Sequence, residues 1–120
     1  MKKVLIVDDS AYIRKTIRTT LEENGFEVVG EAADGETAID LALELKPDII
    51  TLDNILPDMT GLDVLKILRK DEHEMFVVMI SAIGQESSKF DADELGANHY
   101  LFKPLDHKFL IEILQGMDQS

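Results

Sequence analysis

The feature that most constrains the fold is a strict alternation of short apolar runs with longer segments of helical periodicity. Such alternation is typical of a parallel sheet with helices on both faces, joined by right-handed crossovers. We therefore predict an α/β fold with a doubly wound, five-stranded parallel sheet. The predicted strands occupy residues 4–7, 26–33, 49–52, 76–80 and 100–102.

The five predicted helices carry apolar stripes of unequal strength. In the first helix, Ile13, Ile17 and Leu21 recur every fourth residue. The fourth segment, residues 85–95, has only three apolar residues and gives the weakest helical pattern. The other stripes comprise Ala38, Leu41, Ala42 and Leu45; Val64, Ile67 and Leu68; and Leu110, Ile113, Leu114 and Met117.

Local signals place several boundaries between these elements. Asp34-Gly35 predicts a turn before the second helix. Lys46 is expected to be extended and to close that helix, because it precedes Pro47. Thr60 and Asp63 have the spacing of a capping box at the start of the third helix.

Length and charge limit the classes of function. A chain of 120 residues fits one domain, residues 1–120, and we expect no output domain after the last helix. The net charge of -12 disfavours binding to nucleic acid or anionic membranes, which require basic surfaces. No apolar run is long enough for a membrane span, and the absence of cysteine suits the cytoplasm.

Residues with reactive or metal-binding side chains stand at the carboxyl ends of four predicted strands. Asp8 and Asp9 follow the first strand, Asp53 the third, Ser81 the fourth and Lys103 the fifth. Ligands of open parallel sheets bind beyond this edge, so these side chains should converge. Crowded carboxylates need a cation, and Mg²⁺ suits oxygen ligands of high charge density. The site could then receive a phosphoryl group on Asp53.

Each of these residues also has an ordinary structural interpretation. An Asp-Asp pair after a strand is often a solvated turn, and a lone serine or lysine is more often a cap or a surface charge. The functional interpretation depends on all four strand ends carrying suitable residues together.

The chain resembles the receiver domain of bacterial and archaeal response regulators over its whole length. The resemblance lies in VLIVDDS at 4–10, DIITLDNILPDMTGLDVLKILR at 48–69, MISA at 79–82 and GANHYLFKPL at 96–105. It implies a flavodoxin-like three-layer sandwich with strand order 2-1-3-4-5. It also implies a phosphoacceptor switch of two-component signalling rather than a conventional enzyme.

The resemblance also implies roles for single residues in metal binding. Asp53 matches the phosphoacceptor, Asp9 a direct Mg²⁺ ligand, and Asp8 an acid that acts through a metal-bound water. The backbone carbonyl of Ile55 would complete the protein ligands.

A second set of residues matches the phosphoryl-binding and switch positions of the family. Lys103 would pair with the phosphoryl oxygens, and the backbone N–H of Ala82 would donate to them. Ser81 matches the switch hydroxyl and Tyr100 the switch aromatic. The bond from Lys103 to Pro104 is expected to be cis.

Some positions depart from the common pattern of the family, and others affect how fast the phosphoryl group is hydrolysed. Apolar Ile55 and Ile83 occupy positions that govern hydrolysis, so we predict a long-lived phosphoryl group. Asn54 replaces a usual apolar residue and His99 a usual Asp, with no role assigned to Asn54. We expect His99 to lie on the surface and His73 and His107 to be solvated.

The resemblance implies a histidine kinase as phosphoryl donor and a downstream protein as target. We expect the protein to be a monomer. A chemotaxis-type regulator that binds a motor component is favoured, and a phosphorelay intermediate serving a histidine phosphotransfer protein is the alternative. A phosphate-ester hydrolase would need a second acid two residues after Asp53, where Ile55 stands. A purely structural module is disfavoured by the intact acidic cluster.

Overall fold

The computed structural model describes residues 1–70, 74–82 and 87–117. Strands and helices alternate through these residues as the sequence predicts. The strands are β1 Lys3–Val7, β2 Glu27–Ala32, β3 Ile49–Asp53, β4 Phe76–Ser81 and β5 His99–Phe102. The helices are α1 Ala11–Glu23, α2 Gly35–Leu45, α3 Gly61–Lys70, α4 Ser87–Glu94 and α5 His107–Gly116.

The five strands form one parallel sheet in the order β2-β1-β3-β4-β5. This confirms the predicted topology. The chain continues outward from β1 to β2 and then returns to place β3 on the other side of β1. The order therefore reverses between β1 and β3, which opens a crevice at their carboxyl ends. Strand β2 is shorter than predicted, and Phe26 lies before it because its N–H donates to the carbonyl of Leu21 in α1 at 3.0 Å.

Each face of the sheet supports its own apolar core. Ile49 of β3 packs on the face covered by α1 and α5, whereas the next residue, Ile50, packs on the face covered by α2 and α3. Successive side chains of a strand point to opposite faces, so a strand covered on both sides is buried throughout and largely apolar. Every residue of β3 is accordingly buried.

The helical stripes are confirmed with two corrections. Ile17 and Leu21 of α1 are fully buried, as predicted. In α3, however, Ile67 is 39% exposed, and Leu65 lies in the core instead. In α5, Ile111 lies in the core, whereas the predicted Ile113 is only partly buried. None of the helices within the described residues combines the length and apolar character that crossing a membrane requires.

The predicted boundary of α2 at Lys46 is correct, but its geometry is not. Lys46 is left-handed, with φ 48° and ψ 59°, rather than extended. Its N–H donates to the carbonyl of Ala42 at 3.1 Å, which closes the helix. Both conformations avoid the right-handed helical region that Pro47 disfavours, and this hydrogen bond selects the left-handed one.

Side chains cap the starts of α2 and α3. Asp34 is the N-cap of α2 rather than part of a free turn, and its carboxylate accepts from the N–H of Thr37 at 2.7 Å. The capping box of α3 is confirmed in both directions. The N–H of Asp63 donates to the Thr60 hydroxyl at 3.1 Å, and the N–H of Thr60 donates to the Asp63 carboxylate at 3.2 Å.

Candidate functional site

The three predicted acids converge at the crevice between β1 and β3. Asp8 and Asp9 follow β1, and Asp53 is the last residue of β3. One carboxylate oxygen from each residue lies within 4.8 Å of the other two. Asp8 and Asp53 are buried, whereas Asp9 faces solvent. The cluster is thus enclosed on its inner side and open to solvent on its outer side.

Lys103 lies against this cluster as predicted. Its Nζ is 3.0 Å from an Asp8 oxygen and 3.4 Å from an Asp53 oxygen. Strand β5 ends beside β4, and the N–H of Lys103 donates to the carbonyl of Ser81 at 2.7 Å. The Lys103–Pro104 peptide bond is cis, as expected. The ammonium group therefore bridges two acids that stand at the carboxyl ends of different strands.

Asp53 is held from its own loop. Its side chain is 6% exposed, and one carboxylate oxygen accepts from the N–H of Ile55 at 3.3 Å. The Ile55 side chain itself is 51% exposed at the rim of the site. An apolar side chain in that position contacts solvent beside the acid without offering it a polar group.

The loop after Asp53 folds back very closely on the strand, through residues whose role the sequence did not reveal. The N–H of Asn54 donates to the carbonyl of Ile80 at 3.2 Å, and its carbonyl accepts from the N–H of Gly61 at 2.7 Å. A Cβ atom at Gly61 would lie 2.4 Å from the backbone oxygen of Asp53. Only glycine permits this approach. Asn54, which had no assigned role, thus lies buried between β4 and α3.

Burial and neighbouring charges shift the pKa values of the site in a consistent way. Burial raises the pKa of Asp53, and the charge of Asp8 raises it further, against the lowering effect of Lys103. Burial alone would lower the pKa of Lys103, but the hydrogen bond and charge of Asp8 together with Asp53 outweigh it and raise that pKa. The cluster therefore carries excess negative charge that a single ammonium does not neutralise.

Ser81 and Tyr100 occupy neighbouring strands behind the acids. Ser81 is completely buried at the end of β4, and Ala82 follows at an exposed position. Tyr100 of β5 is 8% exposed, with its ring centroid 5.3 Å from that of Phe102. The predicted hydrolysis-tuning residue Ile83 lies outside the described residues.

The histidines behave differently from one another. His99 is exposed, as expected, and its ring centroid lies 5.7 Å from that of Phe76. His107 is only partly exposed, and its Nδ1 is 2.8 Å from the Thr20 hydroxyl oxygen. The expectation of a solvated His107 is therefore wrong, because α5 begins against α1. His73 lies outside the described residues.

The donor set fits a hard divalent cation. It consists of carboxylate oxygens, the ligand type that Mg²⁺ prefers, and the exposed position of Asp9 leaves space for water ligands. The deficit of positive charge described above favours the same ion. The arrangement can thus bind a metal beside a nucleophilic carboxylate and an ammonium group.

Comparisons with known proteins show the family of the chain. The profile described as response regulator receiver domain matches residues 4–115. The chain belongs to the response regulator receiver family. The chemotaxis protein CheY of Thermotoga maritima is 37% identical over 113 residues, which cover 94% of each chain. CheY of Bacillus subtilis is 38% identical over 112 residues, which cover 93% of each chain.

A solved receiver structure has the same fold. The receiver domain of AraT from Geobacillus stearothermophilus superposes with a TM-score of 0.84 at 34% identity, covering 99% of this chain and 98% of that one. Receiver domains are phosphoacceptor switches of two-component signalling that bind Mg²⁺ at an acidic cluster. Membership of the family implies a histidine kinase partner and a downstream target.

Proposed function

We propose that this receiver domain accepts a phosphoryl group on Asp53 and changes its surface in response. The observation that carries the proposal is the bridge formed by Lys103 between Asp8 and Asp53 within a cluster of three carboxylates. Such a site holds a nucleophile, a fixed cation and oxygen ligands for a metal at one strand edge.

The three acids differ in exposure, and we assign them different modes of metal coordination. We assign Asp9, Asp53 and the backbone carbonyl of Ile55 as direct ligands of Mg²⁺, and Asp8 as a ligand through water. When bound, Mg²⁺ supplies positive charge that stabilises the transferring group. Asp8 lies 3.0 Å from the Nζ of Lys103, and as a ligand through water it could retain this contact and keep the ammonium directed towards Asp53.

Transfer requires little covalent chemistry from the protein. A carboxylate oxygen of Asp53 attacks the phosphorus of a phosphohistidine, an O–P bond forms, and the P–N bond to the kinase imidazole breaks. The imidazole nitrogen leaves with the electron pair. Lys103 and the backbone N–H of Ala82 stabilise the negative charge on the phosphoryl oxygens.

The response of the fold begins at Ser81. Its hydroxyl moves to the phosphoryl group, and Tyr100 shifts into the space vacated beside it. Both residues are buried, so a change in one must be accommodated by its neighbours. The surface that changes is the face around α4, which packs near Tyr100 through Ala92.

We propose that the signal is of the chemotaxis type, with a histidine kinase as donor and a motor component as target, in the cytoplasm and as a monomer. The support is the match to two CheY proteins across nearly their whole lengths. A phosphorelay intermediate is the second candidate, because the apolar rim at Ile55 favours a phosphoryl group that survives long enough to be passed on.

The first test is phosphorylation in vitro. Incubation with acetyl phosphate and Mg²⁺ should add the mass of one phosphoryl group, and addition of a chelator should prevent it. Asp53→Asn should remain unlabelled, and Asp40→Asn, an exposed acid of α2, should label normally. An unchanged mass for the native protein, or full labelling of Asp53→Asn, would refute the proposal.

A second test separates the candidate pathways. The phosphorylated protein is incubated with a purified histidine phosphotransfer protein, and the label is followed to its acceptor. Rapid transfer supports the relay, and retention of the label supports the chemotaxis-type switch. Catalytic turnover of a phosphomonoester, by contrast, would support the alternative that the protein is a phosphate-ester hydrolase.

A further inference from the structure

The short segment between β1 and α1 carries Asp8 and Asp9, and its backbone has a hydrogen-bond donor on α1. The Nη1 of Arg14 donates to the carbonyl oxygen of Asp8 at 2.6 Å. Arg14 lies one turn into α1, where its own N–H donates to the carbonyl of Ser10 at 3.0 Å. Its side chain thus returns from the helix to the turn that precedes it.

This hydrogen bond closes the set of contacts around Asp8. The N–H of Asp8 donates to the carbonyl of Ala32, and one side-chain oxygen accepts from the N–H of Ser10 at 2.8 Å. The other side-chain oxygen contacts Lys103. Because β1 ends at Val7, the Asp8 carbonyl requires a donor from outside the strand. Arg14 supplies it.

Arg14 is itself fixed by β2. Its Nε donates to one oxygen of Glu31 at 3.0 Å, and the Nε of Arg18 donates to the other at 2.7 Å. Burial would raise the pKa of Glu31, but its hydrogen bonds to Arg18 and Arg14 and their charges hold that pKa below its usual value. Glu31 is therefore an anchor with a fixed charge, next in sequence to Ala32, which pairs with Asp8.

We infer that Arg14 is a positioning residue for the metal site, which fixes the Asp8–Asp9 turn through the Asp8 carbonyl while Glu31 fixes Arg14. The inference rests on the proposed Mg²⁺ site. It assigns a role to residues outside the acidic cluster, and groups that orient metal ligands commonly alter metal affinity when they are removed.

The charge of Arg14 and its geometry predict opposite effects on metal binding. A cation close to the acids repels Mg²⁺, so removing its charge should tighten binding if charge alone mattered. Removing the hydrogen bond frees the turn and should weaken binding. The sign of the change in affinity therefore separates the two roles.

The experiment is a calorimetric Mg²⁺ titration of the metal-free protein. Arg14→Gln should weaken the affinity about tenfold. Arg14→Lys, which keeps the charge but cannot hold Glu31 and the Asp8 carbonyl in one planar fork, should also weaken it. Arg18→Gln is the matched control, because it also removes one positive charge beside Glu31. The Mg²⁺ affinity of this variant should stay native or rise slightly.

A second readout does not depend on the metal. The N–H of Ser10, which donates to the Asp8 side chain, should exchange with deuterium faster in Arg14→Gln and at the native rate in Arg18→Gln. Native or tighter Mg²⁺ binding by Arg14→Gln would overturn the inference. Absence of Mg²⁺ binding by the native protein would overturn the proposed function instead.

Discussion

Opposing effects act on the charge of Asp53. Burial and the neighbouring Asp8 both disfavour its ionised form, whereas Lys103 and the N–H of Ile55 favour it. The net result is a raised pKa, so the ionised carboxylate costs the metal-free fold some stability. Under the proposed function, the negative charge that Asp53 needs as a nucleophile is therefore unfavourable for the metal-free fold.

Asp53→Asn should therefore stabilise the metal-free protein at neutral pH. The amide keeps the shape and removes the charge that burial and Asp8 disfavour, so we expect the free energy of unfolding to increase. Urea denaturation with a chelator present measures it. Saturating Mg²⁺ should reduce or reverse the difference, because only the native protein gains fully from binding. A less stable Asp53→Asn in chelator would contradict this account of the site.

We expect the exposed side chain of Ile55 to slow the attack of water on a phosphoryl group carried by Asp53. An aliphatic group cannot orient an attacking water, so Ile55→Asn should accelerate loss of the phosphoryl group by roughly tenfold. The decay of labelled protein after removal of the donor provides the measurement. Ile67→Asn, an exposed apolar position on α3, is the control and should decay at the native rate. Equal lifetimes for all three proteins would refute the prediction.

At the scale of elements, the loop between β3 and α3 is tied to α2. The carboxylate of Asp58 accepts from the N–H of Gly35 at 2.8 Å and from that of Glu36 at 3.0 Å. Met59 packs against Gly35 so closely that a Cβ atom there would lie 2.3 Å from the Met59 side chain. The loop that carries Ile55 is thus fixed by a helix that contributes no ligand.

This contact gives stability a specific dependence on pH. The two backbone hydrogen bonds lower the pKa of Asp58 below its usual value of 3.8. A lowered folded-state pKa contributes stability above the unfolded pKa and loses it as pH falls through the folded one. Asp58→Asn should therefore be less stable than the native protein near pH 7, and the difference should shrink below pH 3.8.

Denaturant titrations at several pH values test the Asp58 contact. Asp40→Asn is a suitable control, since Asp40 is an exposed acid in the middle of α2, the helix that Asp58 contacts. A stability difference for Asp58→Asn that stays constant from neutral to acidic pH would exclude the carboxylate cap as its cause.

Across the whole molecule, buried contacts are unevenly distributed. Helix α1 packs through Ile17 and Leu21, both of which are almost inaccessible to solvent. Of the α4 side chains that the structure describes, only Ala92 is wholly buried, and Phe90 is 69% exposed. An element with so few buried contacts opens at low cost in free energy. It is also the element beside Tyr100.

Hydrogen exchange should reveal this difference. Backbone amides at 91–94 in α4 are expected to exchange at least about tenfold faster than those at 17–21 in α1. Phosphorylation with acetyl phosphate should change the exchange of α4 more than that of α1, if α4 responds to the switch. Equal protection of the two helices would show that α4 is as firmly held as the rest.

Much of this molecule follows from patterns within the sequence. Runs such as Ile49–Leu52 can be buried only in a two-sided sheet, and the residues that end those strands therefore meet at one edge. The strand order and residue roles came from family resemblance, because alternation alone does not fix which strands are neighbours. The predicted stripe of α3 is wrong at Ile67. The periodic pattern is compatible with more than one rotation of the helix about its axis, and only packing against the sheet selects one of them.

The sequence by itself determined the alternating fold, the acids and lysine at the strand ends, and the weak apolar face of α4. Tertiary structure decided which long side chains meet distant backbone groups, as Arg14 meets the Asp8 carbonyl and Asp58 meets Gly35. It also decided the direction of the pKa of Asp53. The physical reason is that periodicity records only whether a side chain faces a core. Hydrogen bonds and desolvation depend on distances of a few ångströms between elements, which are set when the elements pack together.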